Sequence, residues 1–173
     1  MKKFLKWFFI VLTVILLGLL IALSFYIGSI YSSASKVEID SAKLSAPFTT
    51  IEVYDRDNKP IKEENTVNES YAEISTISED TKNAFISIED KEFYKHNGVN
   101  YKRIVKAMKF KEGASTITQQ LIKNSHLTSA KTFERKITEI ALSTKLEKQF
   151  SKDEILEQYL NIIYFGNNCY GIE

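Results

Sequence analysis

The sequence predicts a mainly α-helical protein with one membrane-spanning helix at its N-terminus. Residues 7–35 carry no charged side chain and are mostly apolar. At 1.5 Å per residue, such a helix is long enough to cross a hydrocarbon core of about 30 Å. Farther along the chain, two capping boxes open helices, Thr116 with Gln119 and Ser151 with Glu154. Apolar residues at helical spacing follow each box, so we expect helices to dominate the rest of the protein as well.

The composition limits the classes of function. The chain has 173 residues, with 23 basic and 22 acidic side chains and a formal net charge of +1. This balance argues against a strongly basic nucleic-acid-binding protein, so no nucleic acid is expected as a partner. The single cysteine, Cys169, excludes a disulfide framework and a multi-cysteine zinc site within this chain. With two histidines, a metal site would have to be built mainly from carboxylates.

The charges around the apolar run predict its orientation. Lys2, Lys3 and Lys6 precede it, and the positive-inside rule then places the N-terminus in the cytoplasm. A cleaved signal peptide is the alternative, because residues 33–35 are small, but the apolar run exceeds the usual core of about 7–15 residues. The predicted boundaries are a cytoplasmic tail at 1–6, a transmembrane helix at 7–31, a juxtamembrane linker at 32–48 and an extracytoplasmic domain at 49–173.

Charge is unevenly distributed beyond the predicted anchor. Residues 37–101 carry a net charge of −7, whereas residues 102–152 carry +8. A solvated helical face explains part of the basic excess. A basic stretch close to a bilayer also suits anionic head groups or a ligand that bears a pyrophosphate. Composition alone does not choose between these interpretations.

Local patterns predict a short β element before the helical part. Residues 49–54 alternate and favour β structure, and residues 55–58 favour a turn, so a β element is expected near residues 49–61. From Ser78 onward the pattern is helical, with Ser78 as the N-cap of a helix that leads to Glu89.

Glu89 is the first candidate for chemistry. It follows Phe85 by four residues and Ile88 by one, so on a helix it would share their apolar face. Loss of solvation there would raise the pKa of the carboxyl group and make it a better proton acceptor near neutral pH. The alternative is a surface acid at a point where the helix has already ended.

Glu139 is the second candidate carboxylate. It follows Arg135 by four residues and shares a strip with Leu142, distinct from the apolar face of Phe133 and Ile137. A helix that is apolar on two sides is usually central, so we expect the Arg135–Glu139 pair to be half buried. An ordinary surface salt bridge, with about 0.2–0.5 kcal/mol of stabilisation, is the commoner alternative. Two such carboxylates fit sugar chemistry, in which an acid and a base flank a glycosidic bond.

Between the two glutamates lies the run 113–120, Gly-Ala-Ser-Thr-Ile-Thr-Gln-Gln. Small residues, hydroxyls and amides that enter a helix offer backbone N–H groups and neutral donors, which suit an anion or a sugar. Lys123 follows Gln119 by one helical turn and would add a positive charge. A plain capping sequence is the alternative interpretation.

Four segments now stand in a distinctive order. They are Glu89-Asp90-Lys91-Glu92-Phe93-Tyr94-Lys95-His96-Asn97-Gly98, the run 113–120, Arg135-Lys136-Ile137-Thr138-Glu139, and the run 152–161. Together they resemble the first four motifs of the peptidoglycan glycosyltransferases, glycosyltransferase family 51. The resemblance covers residues 70–173, and residues 161–172 are similar to the start of the fifth motif.

The resemblance implies a lysozyme-like helical domain with a membrane-embedded jaw, which polymerises lipid II into glycan strands outside the bacterial cytoplasmic membrane. It implies that Glu89 is the general base, which takes a proton from the 4-hydroxyl of the acceptor. That oxygen attacks the anomeric carbon of the lipid-linked chain with inversion and releases undecaprenyl pyrophosphate. Glu139 matches the second catalytic carboxylate. The positions that match substrate-binding residues are Asp90, Phe93, His96, Ser115, Thr116, Gln119, Gln120, Lys123, Lys131, Arg135 and Lys136.

The implied partners are lipid II, the growing lipid-linked glycan, the cytoplasmic membrane and other cell-wall synthesis proteins. No cofactor is required, although family members often work better with a divalent cation such as Mg²⁺ or Mn²⁺, for which the sequence shows no dedicated ligand cluster. Two positions depart from the family pattern. Glu92 stands where a basic residue is common, and Lys131 replaces an arginine that faces the pyrophosphate, which removes a bidentate fork.

The chain ends within the similarity to the fifth motif, so we expect a fragment of a longer protein that is inactive alone. Missing helices would leave the face of Phe133 and Ile137 exposed, together with Tyr159, Leu160 and Ile163. The expected parent is a bifunctional class A penicillin-binding protein, with a monofunctional transglycosylase as the alternative.

Two other classes of function remain open. A lytic transglycosylase or muramidase would share the lysozyme-like core but cleave glycan, and the second and third segments argue against it. A non-enzymatic single-pass scaffold is the other class.

The predicted orientation can be measured directly. A reporter fused after residue 36 should lie outside the cell, because the three lysines retain the N-terminus in the cytoplasm. Cytoplasmic reporter activity with an intact anchor would contradict the orientation and any access to an extracytoplasmic substrate.

Overall fold

The computed structural model describes residues 2–45, 54–57, 59, 71–110, 113–166 and 169–172. Within them the protein is mainly helical, with a short 3₁₀ helix at Phe93–Lys95. The α-helices are α1 (Lys2–Lys36), α2 (Ser41–Ser45), α3 (Glu79–Glu89), α4 (Tyr101–Phe110), α5 (Ile117–His126), α6 (Phe133–Leu146) and α7 (Lys152–Ile162). Two strands follow, β1 (Tyr164–Gly166) and β2 (Cys169–Tyr170). The predicted mainly α-helical class is confirmed.

α1 is one continuous helix. Its stretch Lys3–Ser35, with a mean hydropathy of 2.9, is long and apolar enough to cross a membrane. The hydroxyl groups of Thr13 and Ser24 donate to carbonyl oxygens one turn earlier, at 2.8 and 2.9 Å. Polar side chains within the apolar stretch are thereby paired inside the helix, as a hydrocarbon environment requires.

Of the segment predicted as a juxtamembrane linker, 32–48, residues 32–45 are described, and they are partly helical and packed. α1 continues to Lys36, and α2 places Leu44 in the core with 1% of its surface exposed. Between the two helices, the backbone N–H of Asp40 donates to Nε2 of His126 at 3.0 Å. The burial of Leu44 and the hydrogen bond between Asp40 and His126 therefore attach the apolar helix directly to the domain.

The β element predicted near residues 49–61 falls mostly outside the described residues. Its turn is described, since the N–H of Asp55 donates to the carbonyl oxygen of Lys59 at 2.8 Å. The Asp55 carboxylate also accepts the N–H groups of Asp57 and Lys59. The described strand pair lies elsewhere, where β1 and β2 run antiparallel with Tyr164 opposite Tyr170.

α5 is the central helix of the domain and packs against α6 and α7. Both predicted capping boxes are present, at Thr116–Gln119 and Ser151–Glu154, and Ser78 caps α3 as expected. The core side chains contributed by these three helices are Ile117, Leu121, Ile122, Leu142, Leu146, Ile155, Leu156, Tyr159, Leu160 and Ile162.

The expectation that α7 needs further helices to cover it is wrong. Tyr159, Leu160 and Ile163 are 4%, 0% and 8% exposed, because Leu44 and Ile77 belong to the same core. The expectation for α6 is correct in part. Phe133 is 53% exposed, whereas Ile137 and Ile140 are half buried.

Polar residues of α7 hold the segment before α3. The side chain of Asn161 exchanges two hydrogen bonds with the backbone of Ala72, at 2.8 and 2.9 Å. The Glu157 carboxylate accepts the N–H of Ile74 at 2.7 Å and the hydroxyl of Tyr71 at 2.6 Å. Side chains of the fourth sequence segment, residues 152–161, therefore fix the position of residues 71–74 through hydrogen bonds.

His126 predicts that the fold loses stability in mild acid. Its Nε2 accepts the Asp40 N–H, so the neutral ring carries its proton on Nδ1, 2.7 Å from the Ser125 hydroxyl. Burial, and then the charge of Lys43, lower the pKa of His126 below 6.5, against an opposing effect of the Asp40 carboxylate. The unfolded histidine therefore binds a proton more readily, and the free energy of unfolding should decrease as pH falls below about 6.5.

Thermal unfolding between pH 7.5 and 5.5 measures this effect. In His126→Gln, the amide oxygen accepts the Asp40 N–H but does not titrate, so this variant should lose less stability than the wild type across the range. An equal loss in both proteins would show that His126 is not responsible.

Candidate active site

Glu89 and Gln120 bring the first and second sequence segments together. Glu89 is the last residue of α3, and its Oε2 accepts a hydrogen bond from Nε2 of Gln120, in the first turn of α5, at 2.7 Å. The carboxylate is half buried. The predicted apolar face is only partly correct: Phe85 packs against the core, but Ile88 is 77% exposed because α3 ends here.

Asp90 is buried beside Glu89, with 0% of its surface exposed. Its Oδ2 lies 2.8 Å from Nε2 of His96 and accepts the N–H of Ile117 at 3.2 Å. Ile117 is the first residue of α5, where a carboxylate is favoured by the free N–H groups of the helix terminus. Asp90 thus attaches the end of α3 to the start of α5 and fixes the position of Glu89.

Arg103 is a site residue that sequence reasoning missed. Its Nε donates to the carbonyl oxygen of Gly113 at 3.1 Å, and its NH1 contacts the carbonyl oxygen of Glu89. NH1 also lies 3.9 Å from Oδ1 of Asp90. In the sequence, Arg103 is one of several basic residues without a distinguishing spacing. The sequence did contain one local pattern that concerns Arg103. Asn100 is a typical N-cap residue, and its Oδ1 caps α4 by accepting the Arg103 N–H at 3.0 Å.

Gly98 allows the first segment to pack against α6. Its φ is +85°, and a Cβ at this position would lie 2.7 Å from the carbonyl oxygen of Ser143. The carbonyl oxygen of Gly98 accepts the hydroxyl of Thr116 at 2.6 Å. A glycine is therefore required here by both backbone conformation and space.

Glu139 forms a second polar cluster. It is 1% exposed, and NH1 of Arg135 lies 3.1 Å from its Oε2. The ammonium group of Lys136 contacts Oε1 of Glu139 and donates to the hydroxyl of Ser115 at 3.0 Å. Arg135 is half buried, as expected, and Glu139 is more buried than expected, so the alternative of a surface salt bridge does not describe the pair. Lys136 joins the third segment to the second.

The fourth segment is connected through Lys152. Its Nζ lies 4.4 Å from the centre of the Phe93 ring and 2.7 Å from Oε1 of Glu147. The hydroxyl of Thr118, on α5, donates to the same oxygen at 2.5 Å. Burial, and then the charge of Glu89, raise the pKa of Tyr159 on α7.

Burial divides the predicted substrate-binding residues into groups. Asp90, Phe93, Thr116 and Gln119 are at most 1% exposed and are placed to hold the site together. The half-buried ones are His96, Ser115, Gln120, Arg135 and Lys136, and the exposed ones are Lys123 and Lys131. Within the described part of the chain, no group of three or more His, Cys, Asp and Glu side chains could hold a metal ion.

These features define the class of protein. A helical domain that holds four ordered motifs around two carboxylates, behind an apolar N-terminal helix, is what the resemblance to the glycosyltransferases predicts. Residues 57–173 match the family model described as transglycosylase. The chain belongs to this family, and the resemblance is confirmed.

Curated relatives agree with the family. The chain is 45% identical over 141 residues to penicillin-binding protein 1A/1B of Bacillus subtilis (strain 168), across 78% of this chain and 15% of that protein. It is 40% identical over 187 residues to penicillin-binding protein 1A of Clostridium perfringens (strain 13 / Type A), across 98% of this chain and 26% of that protein. It is 37% identical over 175 residues to penicillin-binding protein 1F of B. subtilis, across 97% and 24%. The chain spans about a quarter or less of the length of these relatives.

Gly98→Ala should destabilise the fold. A residue with a Cβ is strained by about 1–3 kcal/mol at this positive φ, and the contact with Ser143 adds to the cost. Gly113→Ala is the matched control, because a Cβ there meets nothing within 4 Å. Thermal unfolding in detergent should show a clear decrease in Tm for Gly98→Ala and little change for Gly113→Ala. Similar Tm values for the two variants would contradict the packing described for Gly98.

Proposed function

We propose that the chain carries the active site of a peptidoglycan glycosyltransferase that polymerises lipid II at the outer face of the bacterial cytoplasmic membrane. The observation that carries the proposal is the contrast between the two carboxylates. Glu89 is half buried and hydrogen bonded by a neutral amide, whereas Glu139 is buried between two cations. Glu89 is therefore suited to accept a proton, and Glu139 is suited to hold the positive charges of Arg135 and Lys136 in place.

Glu89 acts as the general base in this proposal. Gln120 donates to Oε2 and orients the carboxylate, and Oε1 has no protein donor among the described residues. Glu89 takes the proton from the 4-hydroxyl of the acceptor sugar as that oxygen forms a bond to the anomeric carbon of the donor. The bond from that carbon to the pyrophosphate oxygen breaks with inversion. Undecaprenyl pyrophosphate leaves with the electron pair.

The basic residues stabilise the leaving group. Lys123 and Lys131 are exposed and make no hydrogen bond or ion pair within the part of the chain that the structure describes. Their ammonium groups are therefore available to a pyrophosphate. Arg135 and Lys136 are held by Glu139, so their charges are fixed in place before the reaction, which is what transition-state stabilisation requires. Glu139 thus acts through its two partners.

The two departures from the family pattern weaken phosphate binding in this proposal. Lys131 offers a point charge in place of a bidentate fork. Glu92 accepts a hydrogen bond from the side-chain amide of Asn100 at 2.8 Å, which keeps its carboxylate among the basic residues of α4. A divalent cation such as Mg²⁺ or Mn²⁺ would compensate by binding the pyrophosphate itself. Other cell-wall synthesis proteins are proposed as further partners.

The test is polymerisation of labelled lipid II by the full-length protein in membranes. Glu89→Gln keeps the shape of the side chain but removes the base, so the rate should fall by at least about 10²-fold. Glu139→Gln should also lower the rate while lipid II remains bound, because the cations of Arg135 and Lys136 lose their counter-charge.

Asp80→Asn is the matched control, because it removes an exposed carboxylate from the first turn of the same helix, α3. It should polymerise at a rate near that of the wild type. If Glu89→Gln did so as well, the proton acceptor would lie elsewhere. Cleavage of glycan in place of polymerisation would identify a lytic enzyme, and absence of both activities in the wild type would favour a scaffold.

A further inference from the structure

α1 is longer than a membrane crossing needs, and its outer part is in contact with the domain. It has 35 residues, which is about 52 Å of helix against a hydrocarbon core of about 30 Å. Between Lys3 and Lys36, every residue is exposed except Ile27, Ile30 and Ala34. These three recur at the spacing of one helical face, and α1 packs against α6. The exposed residues before Tyr26 are available to lipid, and residues from Tyr26 onward contact the domain.

Hydrogen bonds connect α1 to α6 at both ends of the region in which the two helices pack. The hydroxyl of Tyr26 donates to Oε1 of Glu134 at 2.7 Å, near the start of α6. Near its end, Nζ of Lys145 donates to the carbonyl oxygens of Ser35 and Val37, at 3.1 and 2.7 Å. The C-terminal carbonyl groups of a helix otherwise lack partners, and a cation is favoured beside them. The two helices therefore run side by side in the same direction.

This packing sets the height of the second polar cluster above the bilayer. The 20 residues from Phe8 to Ile27 already span a hydrocarbon core of about 30 Å. The outer end of the predicted transmembrane helix, residues 28–31, then lies in the head-group layer, and Glu134, which is bonded to Tyr26, lies near the hydrocarbon boundary. Glu139 follows Glu134 by five residues, about 8 Å along α6. The head-group layer on each side of a bilayer is about 5–8 Å thick. The cluster of Arg135, Lys136 and Glu139 therefore lies at the level of the lipid phosphates.

We propose that residues 26–37, the outer part of α1 and the residue that follows it, are a positioning element of the active site. Packed along α6, they hold the Arg135–Lys136–Glu139 cluster at the height of the pyrophosphate of a substrate whose lipid chain is embedded in the same bilayer. The inference rests on the proposed function. If the inference is correct, a change in the height of the domain lowers the polymerisation rate on a membrane-embedded substrate but not on a substrate that diffuses freely in solution.

Insertion of residues into α1 separates these two cases. Seven polar helix-forming residues placed between Phe25 and Tyr26 raise the domain by about 10 Å and turn it by only about 20°. The hydrogen bonds of Tyr26, Ser35 and Val37 with residues of α6 all lie on the outer side of the insertion and are retained. The matched control carries the same seven residues between Lys3 and Phe4, on the other side of the bilayer. Both are assayed in the full-length protein, in vesicles of phosphatidylglycerol and phosphatidylethanolamine with long-chain lipid II, and in detergent with a water-soluble short-chain analogue.

The insertion after Phe25 should lower polymerisation in vesicles by at least about 10²-fold, in line with the cost of a misplaced reacting group. Its rate on the soluble analogue, and both rates of the control, should stay near those of the wild type. Equal vesicle rates for the two insertions would overturn the inference, and so would a loss on both substrates, which would indicate a damaged fold. A wild type that polymerises neither substrate would instead refute the proposed function.

The height of α6 relative to the membrane can also be measured by tryptophan fluorescence, without an activity assay. Trp7 is the single tryptophan, so Trp7→Phe provides a background for a new probe at Phe133, which is 53% exposed next to Glu134. Phe133→Trp should be quenched by lipids brominated near the head group. Gln149→Trp, exposed beyond the other end of α6, should not be quenched. Absence of quenching at position 133, or equal quenching at both positions, would show that α6 does not rise from the membrane surface.

Discussion

The buried carboxylate of Asp90 is the interaction on which the rest of the site depends. It lies one residue after Glu89, has no exposed surface, and receives donors from His96 and from the first N–H of α5. A buried carboxylate is costly unless it is hydrogen bonded or paired with a charge. Both donors reach Oδ2 of Asp90, and Oδ1 has only the guanidinium of Arg103 near it, at 3.9 Å. These donors come from two separate segments, so the partners are present only when α3, the 3₁₀ turn and α5 are assembled. Assembly in turn brings Glu89 to Gln120.

The two carboxylates of the site differ in environment because they lie on different helices with different neighbours. Glu89 stands at the end of α3, where the chain leaves the helix and solvent reaches the side chain. Glu139 lies inside α6, on the strip that faces the core, and Arg135 and Lys136 are one turn away on the same helix. Burial of a carboxylate is costly, and the charged partner on each oxygen of Glu139 offsets part of that cost. Ser115 then connects the cluster to the start of α5.

The apolar N-terminal helix belongs to the same structural unit as the domain. Its outer residues pack against α6, α2 inserts Leu44 into the core, and His126 accepts a backbone N–H from the segment between them. The hydrogen bonds that attach this part of the chain to α5 and α6 join residues 86 to 110 positions apart. An anchor held in this way restricts the orientation of the domain over the membrane, whereas a flexible linker would leave it free. Such a restriction suits the proposed substrate, which is itself confined to the bilayer.

The helices, their caps, the apolar span and the order of the four motifs can be predicted from the amino-acid sequence, because these features depend on residues within one or two turns of each other. Thr116 with Gln119 and Ser151 with Glu154 are examples, since each box is closed by its own four residues. The burial of the motif residues, the link that Arg103 makes between Glu89 and Gly113, and the coverage of α7 by the core are visible only in the folded protein. So is the exposure of Ile88. Those features depend on contacts between segments that are distant in the chain. Local residue spacing and helix propensity carry no information about such contacts.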